Sequence, residues 1–438
     1  MKTVRLPFLA GLALAIVIPL AGFAGVSPAD ARSAALHPLT AKQVAHRLTG
    51  EVYGFLPYWL ETKKTATALR YDLLTTVSLF DIGLQSNGGI DHDWPGYAAL
   101  VGSSSTTVIN AAHAAGDRVD MTLASFGFAR NRAFLRSRTD QRRAIRQVVA
   151  LMAARGLDGV TVDFESVYLR DLPDFSRFVD ALGRAVRAHN RIGRVTVAVG
   201  ASQTGAAMAA AALAGHADRV LIMGYDYRSS SSTTTGSTDP LVNRDGGMSL
   251  TWTLDLFKAS KLPMNRILLA LPYYGMSWPT TSARPGTTPA RAAYGKAPAF
   301  PIRVSKVAVP KGSPHGYDRV EASAWVAVYD SRLHVWRQTY YDSPEALTAK
   351  YALARSRGLA GIGIWALGYD AGSAANWQVL AKAFQPPPPK LKPVKKHPPK
   401  VHVTHHPKPK PAPVHRKVVA KKPARPPVKT ARSGSTPV

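Results

Sequence analysis

The chain contains no cysteine among its 438 residues. Disulfide bonds, thiolate nucleophiles and metal sites built on cysteine are therefore excluded. Acidic residues are also scarce, since 27 Asp and Glu face 56 Lys and Arg and leave a net charge of +29. The one long apolar run lies at the start of the chain, and no later segment is both apolar and long enough to span a bilayer.

Residues 1–31 have the pattern of a secretory signal peptide. Lys2 and Arg5 begin it, a long apolar run follows, and Ala29-Asp30-Ala31 supplies the small residues of a cleavage site. The run is also long enough for an uncleaved membrane anchor, which stays open as the alternative. Exported proteins without disulfides are more typical of the outside of a bacterium than of an endoplasmic reticulum. The sequence therefore predicts a secreted, extracellular or cell-wall-associated protein, in which residues 32–50 form a linker.

The basic segment, residues 385–438, holds 14 Lys or Arg and no acidic residue. The rest of the chain, with 42 basic and 27 acidic residues, still carries +15. Runs such as "PPPPKLKPVKKHPPK" have almost no apolar periodicity, so we expect a disordered segment, locally polyproline II and extended by self-repulsion. It is either a solvated spacer or an electrostatic tether to an anionic cell-wall polymer. Nucleic acid is not expected as a partner, because the chain is exported and these tracts lack interleaved aromatic residues.

Strand-like runs and helix-period stretches alternate eight times in residues 51–384. Most of these runs are continuously apolar, as in parallel strands covered on both faces. They lie at residues 51–59, 75–84, 118–127, 157–166, 194–202, 218–227, 266–275 and 359–368. Eight strand and helix pairs in about 330 residues predict an α/β fold, a (β/α)8 TIM barrel. The first connection is the weakest, because residues 61–74 offer barely two helical turns.

One connection, between the seventh and eighth strands, is too long for a plain barrel. Residues 276–343 contain two strand-like runs around Asp330-Ser331, which predicts a hairpin insertion at the rim. Long loops on this face of a barrel commonly build a substrate groove. Trp278, Trp325 and Trp336 are either sugar platforms or the small core of the insertion, and for each of them the core is favoured.

The fourth strand, "LDGVTVDFES", carries acidic residues inside an apolar run. Residues two apart on a strand share a face, so Thr161, Asp163 and Glu165 point one way and Val160, Val162 and Phe164 point the other. The apolar face packs under the helices, which turns the carboxylates into the barrel. Buried unpaired carboxylates are costly, and Glu165 lies at the carboxyl end of the strand, where barrel active sites form. We interpret Asp163 and Glu165 as catalytic, with an internal ion pair as the structural alternative.

Two neighbouring carboxylates on one strand do not form the usual pair of a glycosidase. That pair flanks the sugar from opposite sides, about 5 Å or more apart. Neighbouring carboxylates instead repel each other and raise one pKa, so a protonated Glu is held beside an Asp. This arrangement supplies a general acid but no nucleophile.

The motif "DGVTVDFE" is similar to the DGxDxDxE signature of glycoside hydrolase family 18, the chitinases and related N-acetylglucosaminidases, whose fold is a (β/α)8 barrel. Three further stretches resemble family motifs in the right order. They are "MGYDY" at 223–227 on the sixth strand, "LPYYG" at 271–275 on the seventh and "GIGIWALGYD" at 361–370 on the eighth. Each motif alone is modest evidence, whereas four in order are highly specific.

The resemblance implies substrate-assisted retaining hydrolysis, which supplies the missing nucleophile. The carbonyl oxygen of the sugar's own 2-acetamido group attacks the anomeric carbon. Glu165 is expected to protonate the leaving oxygen and then to deprotonate water. Asp163 is expected to bind the acetamido N–H, and Tyr225 to orient that group with the help of Asp226. No cofactor or metal is implied.

The resemblance also suggests which side chains line the sugar site. Trp365 would form the apolar floor, and Met223 belongs to the sixth-strand motif. Tyr53, Phe126 and Tyr273 are further candidates for lining the site, with plain packing as the alternative for each.

Two residues depart from the family pattern. Thr161 stands where the signature has its middle Asp, so the buried relay of carboxylates below Asp163 is shortened. Cell-wall and spore-associated members resemble this chain in lacking an Asp there. The third strand reads "SFGF" where many members have S-x-G-G, so Phe128 either narrows the groove or adds a platform.

The sequence as a whole predicts a secreted glycosidase that cleaves β-1,4 linkages next to N-acetylglucosamine, in chitin, its oligomers or peptidoglycan. A non-catalytic sugar-binding or wall-anchored, lectin-like protein on the same barrel is the alternative from another class. Inactive relatives typically lose the acid, and Glu165 is present. We expect a monomer whose partner is a polysaccharide containing N-acetylglucosamine.

Overall fold

The computed structural model describes residues 36–45 and 47–387. The predicted signal peptide and nearly all of the basic segment lie outside these residues. Among the residues described, no helix is long and apolar enough to cross a membrane.

Thirteen strands and ten α-helices make up the described part of the chain. The strands are β1 Glu51–Pro57, β2 Thr76–Gly83, β3 Arg118–Phe126, β4 Gly159–Glu165, β5 Arg194–Gly200, β6 Arg219–Met223, β7 Ile267–Pro272, β8 Tyr274–Thr280, β9 Phe300–Arg303, β10 His315–Asp318, β11 Ser323–Asp330, β12 Val335–Tyr341 and β13 Gly361–Trp365. The helices are α1 Lys63–Ala68, α2 Pro95–Val101, α3 Ser103–Ala115, α4 Phe128–Arg136, α5 Arg138–Arg155, α6 Leu172–His189, α7 Gln203–Ala214, α8 Leu250–Ala259, α9 Pro344–Ser356 and α10 Ala374–Phe384.

Eight of the strands close into a parallel barrel in the order β1-β13-β7-β6-β5-β4-β3-β2. This confirms the predicted (β/α)8 TIM barrel. The weak first connection contains only the six-residue α1 and short 3-10 turns. Because all eight strands run the same way, their carboxyl ends meet at one face, which places the end of β2 on the same rim as the ends of β4 and β6.

The side chains of β4 point alternately out of the barrel and into it, as the sequence predicts. Phe164 is buried outside the barrel, where its ring stacks on Phe178 of α6 at 5.5 Å between centroids. Val160 and Val162 belong to the same layer between strands and helices. Burying such a side chain contributes about 1.5–3 kcal/mol, so this layer fixes which face of β4 points inward. Asp163 is thereby forced into the barrel.

The chain enters β4 through a tight turn. The side chain of Ser137 caps the start of α5 by accepting a hydrogen bond from the amide of Asp140. Gly156 ends α5 with φ at +63°, a conformation that costs little only in glycine. A Cβ there would lie 2.7 Å from the backbone nitrogen of His37. The turn is therefore closed against the N-terminal segment as well.

Asp158, the first acidic residue of the signature, has a structural role at the other end of β4. It is fully buried and accepts hydrogen bonds from the amides of Leu39 (2.6 Å) and Val119 (2.8 Å). Its Oδ2 also lies 2.8 Å from Nε2 of His113 on α3. These contacts join the N-terminal segment and α3 to the base of the barrel.

The insertion between the seventh and eighth barrel strands contains the predicted hairpin, β11 and β12, and extends it. It is a five-stranded antiparallel sheet in the order β10-β11-β12-β8-β9. Trp278 is fully buried in its core beside Tyr340, and Trp325 packs on the same cluster. Trp336 packs on Tyr329 at 5.3 Å. These contacts support the packing interpretation of Trp278 and Trp325, whereas Trp336 lies beside the exposed Tyr329 and outside that cluster.

A buried ion pair joins the insertion to the loop that follows β6. Arg228 of that loop lies 2.8 Å from Oε1 of Glu321, and both side chains are almost completely buried. Arg228 also donates to the side chain of Asn243 at 3.0 Å, and the other oxygen of Glu321 accepts from the amide of Ser237 at 2.9 Å. The two segments therefore form one wall above the barrel.

Candidate active site

Four carboxylates collect at the carboxyl end of the barrel. Asp163 and Glu165 end β4, Asp226 follows β6, and Asp81 lies near the end of β2. Burial raises the pKa of all four, and neighbouring charges raise those of Asp163 and Glu165 further. Such a concentration of perturbed acids in one place is typical of an active site.

Asp163 points into the barrel and is only 5 % exposed. Its Oδ1 is buried and has no hydrogen-bond partner. Burial raises its pKa well above the ordinary range, and the charges of Glu165 and then Asp81 raise it further. These surroundings therefore favour the protonated form of this carboxyl until a donor or a positive charge arrives.

Glu165 stands at the mouth of the barrel, where its side chain reaches the groove. Loss of hydration among the surrounding walls raises its pKa, and the charge of Asp226 adds to the effect. A carboxyl group whose pKa is raised and that faces an open groove is suited to act as a general acid.

Asp226 is held by two hydroxyl groups. The phenol of Tyr274 donates to its Oδ1 at 2.5 Å, and Thr238 donates more weakly at 3.4 Å. Burial raises the pKa of Asp226, and these two hydrogen bonds lower it in part. The backbone of Asp226 lies in the left-handed region, with φ at +59°, so the loop turns sharply at this residue.

Tyr225 lies near three of the carboxylates. Burial raises the pKa of its phenol well above the ordinary value, and the charges of Asp163, Asp226 and Glu165 act in the same direction. Its ring meets that of Tyr274 at 6.1 Å in an edge-to-face contact. A hydroxyl that remains protonated beside three acids is a hydrogen-bond donor at any physiological pH.

Aromatic rings form the floor beside these acids. Trp365 at the end of β13 meets Phe80 at 4.6 Å, Phe55 at 5.7 Å and the partly exposed Trp59 at 6.5 Å. Met223 packs on the same cluster inside the barrel. Phe126 ends β3 in register with Glu165 and is 38 % exposed, so both stand at the same level of the rim.

Two tyrosines predicted to line the site do not. Tyr273 is 2 % exposed and faces outward, where its hydroxyl lies 2.9 Å from that of Tyr351 on α9. The inward positions of β7 are Leu268 and Ala270, so alternation carries Tyr274 to the groove. Tyr53 points inward but is fully buried one layer below the floor.

Tyr53 belongs to a buried polar network beneath Asp163. Its hydroxyl donates to Asp120 on β3 at 2.8 Å and lies 2.5 Å from the hydroxyl of Thr161. Thr161 in turn lies 2.9 Å from the hydroxyl of Ser78. Burial raises the pKa of Asp120 to about 7. The carboxylate missing at position 161 is thus replaced in this layer by one on the neighbouring strand.

Three residues of the site were missed in the sequence, each with a signal that was present. Asp81 is an acidic residue inside the apolar run "TTVSLFDIGL", so the argument applied to Asp163 applies to it as well. Tyr274 follows from continuing the alternation of β7 two residues beyond its last residue, Pro272. Asp120 also breaks an apolar run, but nothing in the sequence says that Tyr53 meets it.

A family model matches residues 54–370, described as "Glycosyl hydrolases family 18". The chain belongs to this family. The match spans the barrel and its insertion, and it includes every residue of the candidate site except Tyr53. The family resemblance drawn from the four motifs is confirmed.

Solved structures of family members and related enzymes share the fold. The spore cortex-lytic enzyme SleL of Bacillus cereus is 18 % identical, with a TM-score of 0.58 over 77 % of this chain and 74 % of that one. A family 18 chitinase of Cycas revoluta, solved in complex with (GlcNAc)3, is 18 % identical, with a TM-score of 0.62 over 76 % of this chain and 99 % of that one.

One curated relative is similar in sequence over a shorter stretch. Nod factor hydrolase protein 1 of Medicago truncatula is 25 % identical over 185 residues. The match covers 39 % of this chain and 43 % of that protein, less than half of either.

Proposed function

We propose that this family 18 chain is a secreted retaining glycosidase that hydrolyses β-1,4 linkages next to N-acetylglucosamine by substrate-assisted catalysis. One observation carries the proposal. Asp163, Glu165 and Tyr225 converge beside the aromatic floor of Trp365, and Asp163 is almost completely buried, with no partner at its Oδ1. An acetamido N–H is a donor that suits this carboxyl group, at its second oxygen, Oδ2.

Each group then has a separate task. Glu165, held protonated by its surroundings, gives its proton to the glycosidic oxygen. The carbonyl oxygen of the 2-acetamido group attacks the anomeric carbon and forms an oxazolinium-like intermediate. The carboxylate of Asp163 accepts the N–H and stabilises the positive charge, while the phenol of Tyr225 orients the acetamido group. Glu165 finally takes a proton from water, which opens the intermediate with retention.

The glycan is either chitin, with its oligomers, or peptidoglycan. Both contain N-acetylglucosamine in β-1,4 linkage, and the two structural relatives named above are a chitinase and a spore cortex-lytic enzyme. A cell-wall role is favoured slightly by Thr161 and by the basic segment, which we propose to act as a tether to anionic wall polymers.

The test is hydrolysis by the purified protein of chitin oligomers and of peptidoglycan, with products identified by mass spectrometry. We expect cleavage beside N-acetylglucosamine, no cleavage of fully deacetylated oligomers, and a loss of at least about 100-fold in kcat for Glu165→Gln with binding retained. Equal rates on deacetylated glycans would contradict the mechanism. Binding without turnover in the unaltered protein would favour the sugar-binding alternative.

A further inference from the structure

Asp81 is an acid of this site that the mechanism above does not use. It lies near the carboxyl end of β2, directly after Phe80, whose ring packs on Trp365 of the floor. Its position is therefore beside the acetamido site and on the opposite side of β3 from β4.

Only one of the two carboxyl oxygens of Asp81 has a hydrogen-bond partner. The residue is 3 % exposed, and its Oδ1 accepts a hydrogen bond of 3.0 Å from the indole N–H of Trp94. Its Oδ2 is buried and has no partner. A buried carboxylate oxygen without a donor is costly, so its retention points to a proton or a ligand group that it receives during function.

Asp163, like Asp81, has a buried carboxyl oxygen without a hydrogen-bond partner. This oxygen is Oδ1, and the charge of Asp81 raises the pKa of Asp163. In the layer below, position 161 holds a threonine hydroxyl that is already engaged with Tyr53 and Ser78. Thr161 therefore offers no carboxylate with which Asp163 could share a proton.

We propose that Asp81 is a third carboxylate of the catalytic centre, which holds the proton of Asp163 while Asp163 binds the acetamido N–H group. This inference rests on the proposed function. Asp81 acts through Asp163 and is a positioning residue, since it does not touch the reacting atoms.

The proton balance is simple. Before the attack the two carboxyl groups carry one proton and one negative charge between them, with the proton on Asp163. As positive charge develops on the acetamido nitrogen, the proton passes from Asp163 to Asp81, directly or through one water molecule. Asp163 is then anionic where the charge forms, and Asp81 is neutral. When the intermediate is hydrolysed the proton returns, so the pair ends as it began.

Several groups bear on the titration of this pair. Burial raises the pKa of Asp81 to about 6, although Trp94 and a backbone hydrogen bond lower it. Burial raises the pKa of the phenol of Tyr58, after β1, and the charge of Asp81 raises it further. Glu165, two residues along β4, is the other carboxyl group whose charge, when it is ionised, raises the pKa of Asp163. One shared proton at working pH is therefore a property of Asp81 and Asp163 together.

The test compares Asp81→Asn with Asp93→Asn, the same change at an exposed position of the following loop, on chitin oligomers across the pH range. Asp81→Asn keeps an acceptor for Trp94 and removes the proton acceptor. We expect kcat at the optimum to fall by about tenfold to 100-fold with KM within about threefold. We also expect the acid limb of the kcat profile to move to lower pH, because the charge that raises the pKa of Asp163 is gone. Asp93→Asn is expected to behave as the unaltered protein.

A second variant separates proton transfer from packing. Asp81→Ala leaves a space at this position, so added formate should restore much of its kcat, whereas formate should leave Asp81→Asn unchanged. A fall in kcat without a shift of the acid limb and without rescue by formate overturns the proposal, as does an unchanged Asp81→Asn profile while Glu165→Gln is inactive.

A different result would overturn the proposed function itself, namely that the unaltered protein cleaves none of these glycans. In that case the shared proton of Asp81 and Asp163 is measured by carbon-13 NMR of labelled aspartate. Two coupled carboxyl titrations in the unaltered protein, reduced to one unperturbed titration in Asp81→Asn, support it, and independent titrations overturn it.

Discussion

The phenol of Tyr274 donates a hydrogen bond of 2.5 Å to Oδ1 of Asp226. This contact joins the first residue of the insertion sheet to the loop after β6, and it holds an acid whose charge raises the pKa of Glu165. The geometry of the insertion and the protonation of the proposed general acid are therefore linked through two residues.

Tyr274→Phe tests this link. Loss of the donor raises the pKa of Asp226, so Asp226 is neutral over more of the pH range and raises the pKa of Glu165 less. The basic limb of the kcat profile, where Glu165 loses its proton, should then move to lower pH by about half a unit to one unit. Tyr273→Phe is the matched control, because that hydroxyl faces Tyr351 on the other side of the strand. An equal shift in both variants would contradict the link.

Asp120→Asn tests the buried layer through stability. The pKa of Asp120 is raised to about 7 in the folded protein, so the folded state binds this proton more tightly than the unfolded state does. Its contribution is present below about pH 4 and is lost as the pH rises to about 7, by up to about 4 kcal/mol. The free energy of unfolding, measured with denaturant, should therefore fall between about pH 4 and about pH 7 in the unaltered protein but not in Asp120→Asn. The difference between the two proteins changes in favour of the variant over this range. Parallel pH curves would contradict the assignment.

Thr161→Asp introduces the middle carboxylate of the family signature, and we expect it to destabilise this protein. The new side chain enters a closed layer that already contains Asp120, and two buried carboxylates there repel each other. We expect the free energy of unfolding to fall by about 2–4 kcal/mol near neutral pH. Adding Asp120→Asn should recover at least half of that loss, whereas additive losses in the double variant would show that the two positions are independent.

The sequence predicts this fold well because a parallel barrel demands buried strands of regular length and the alternation of β4 decides its own faces. Asp163 and Glu165 follow from that alternation. For Tyr273 the structure favours the packing alternative. The motif "LPYYG" offers two tyrosines, and only the facing of β7, set by Leu268 and Ala270, chooses between them. The network of Tyr53 with Asp120 joins residues 67 positions apart, and no local pattern encodes a contact of that kind.

The buried contact between Arg228 and Glu321 has a practical consequence for protein engineering. An insertion grafted from another barrel without an acid at the position of Glu321 would remove the buried counter-ion of Arg228 and leave it paired with Asp245, a half-exposed carboxylate of the loop after β6 at 3.0 Å. Loss of the buried partner of such a pair is destabilising. The rim sheet and the loop after β6 are thus a single transplantable unit, and exchanges of substrate preference should move both together.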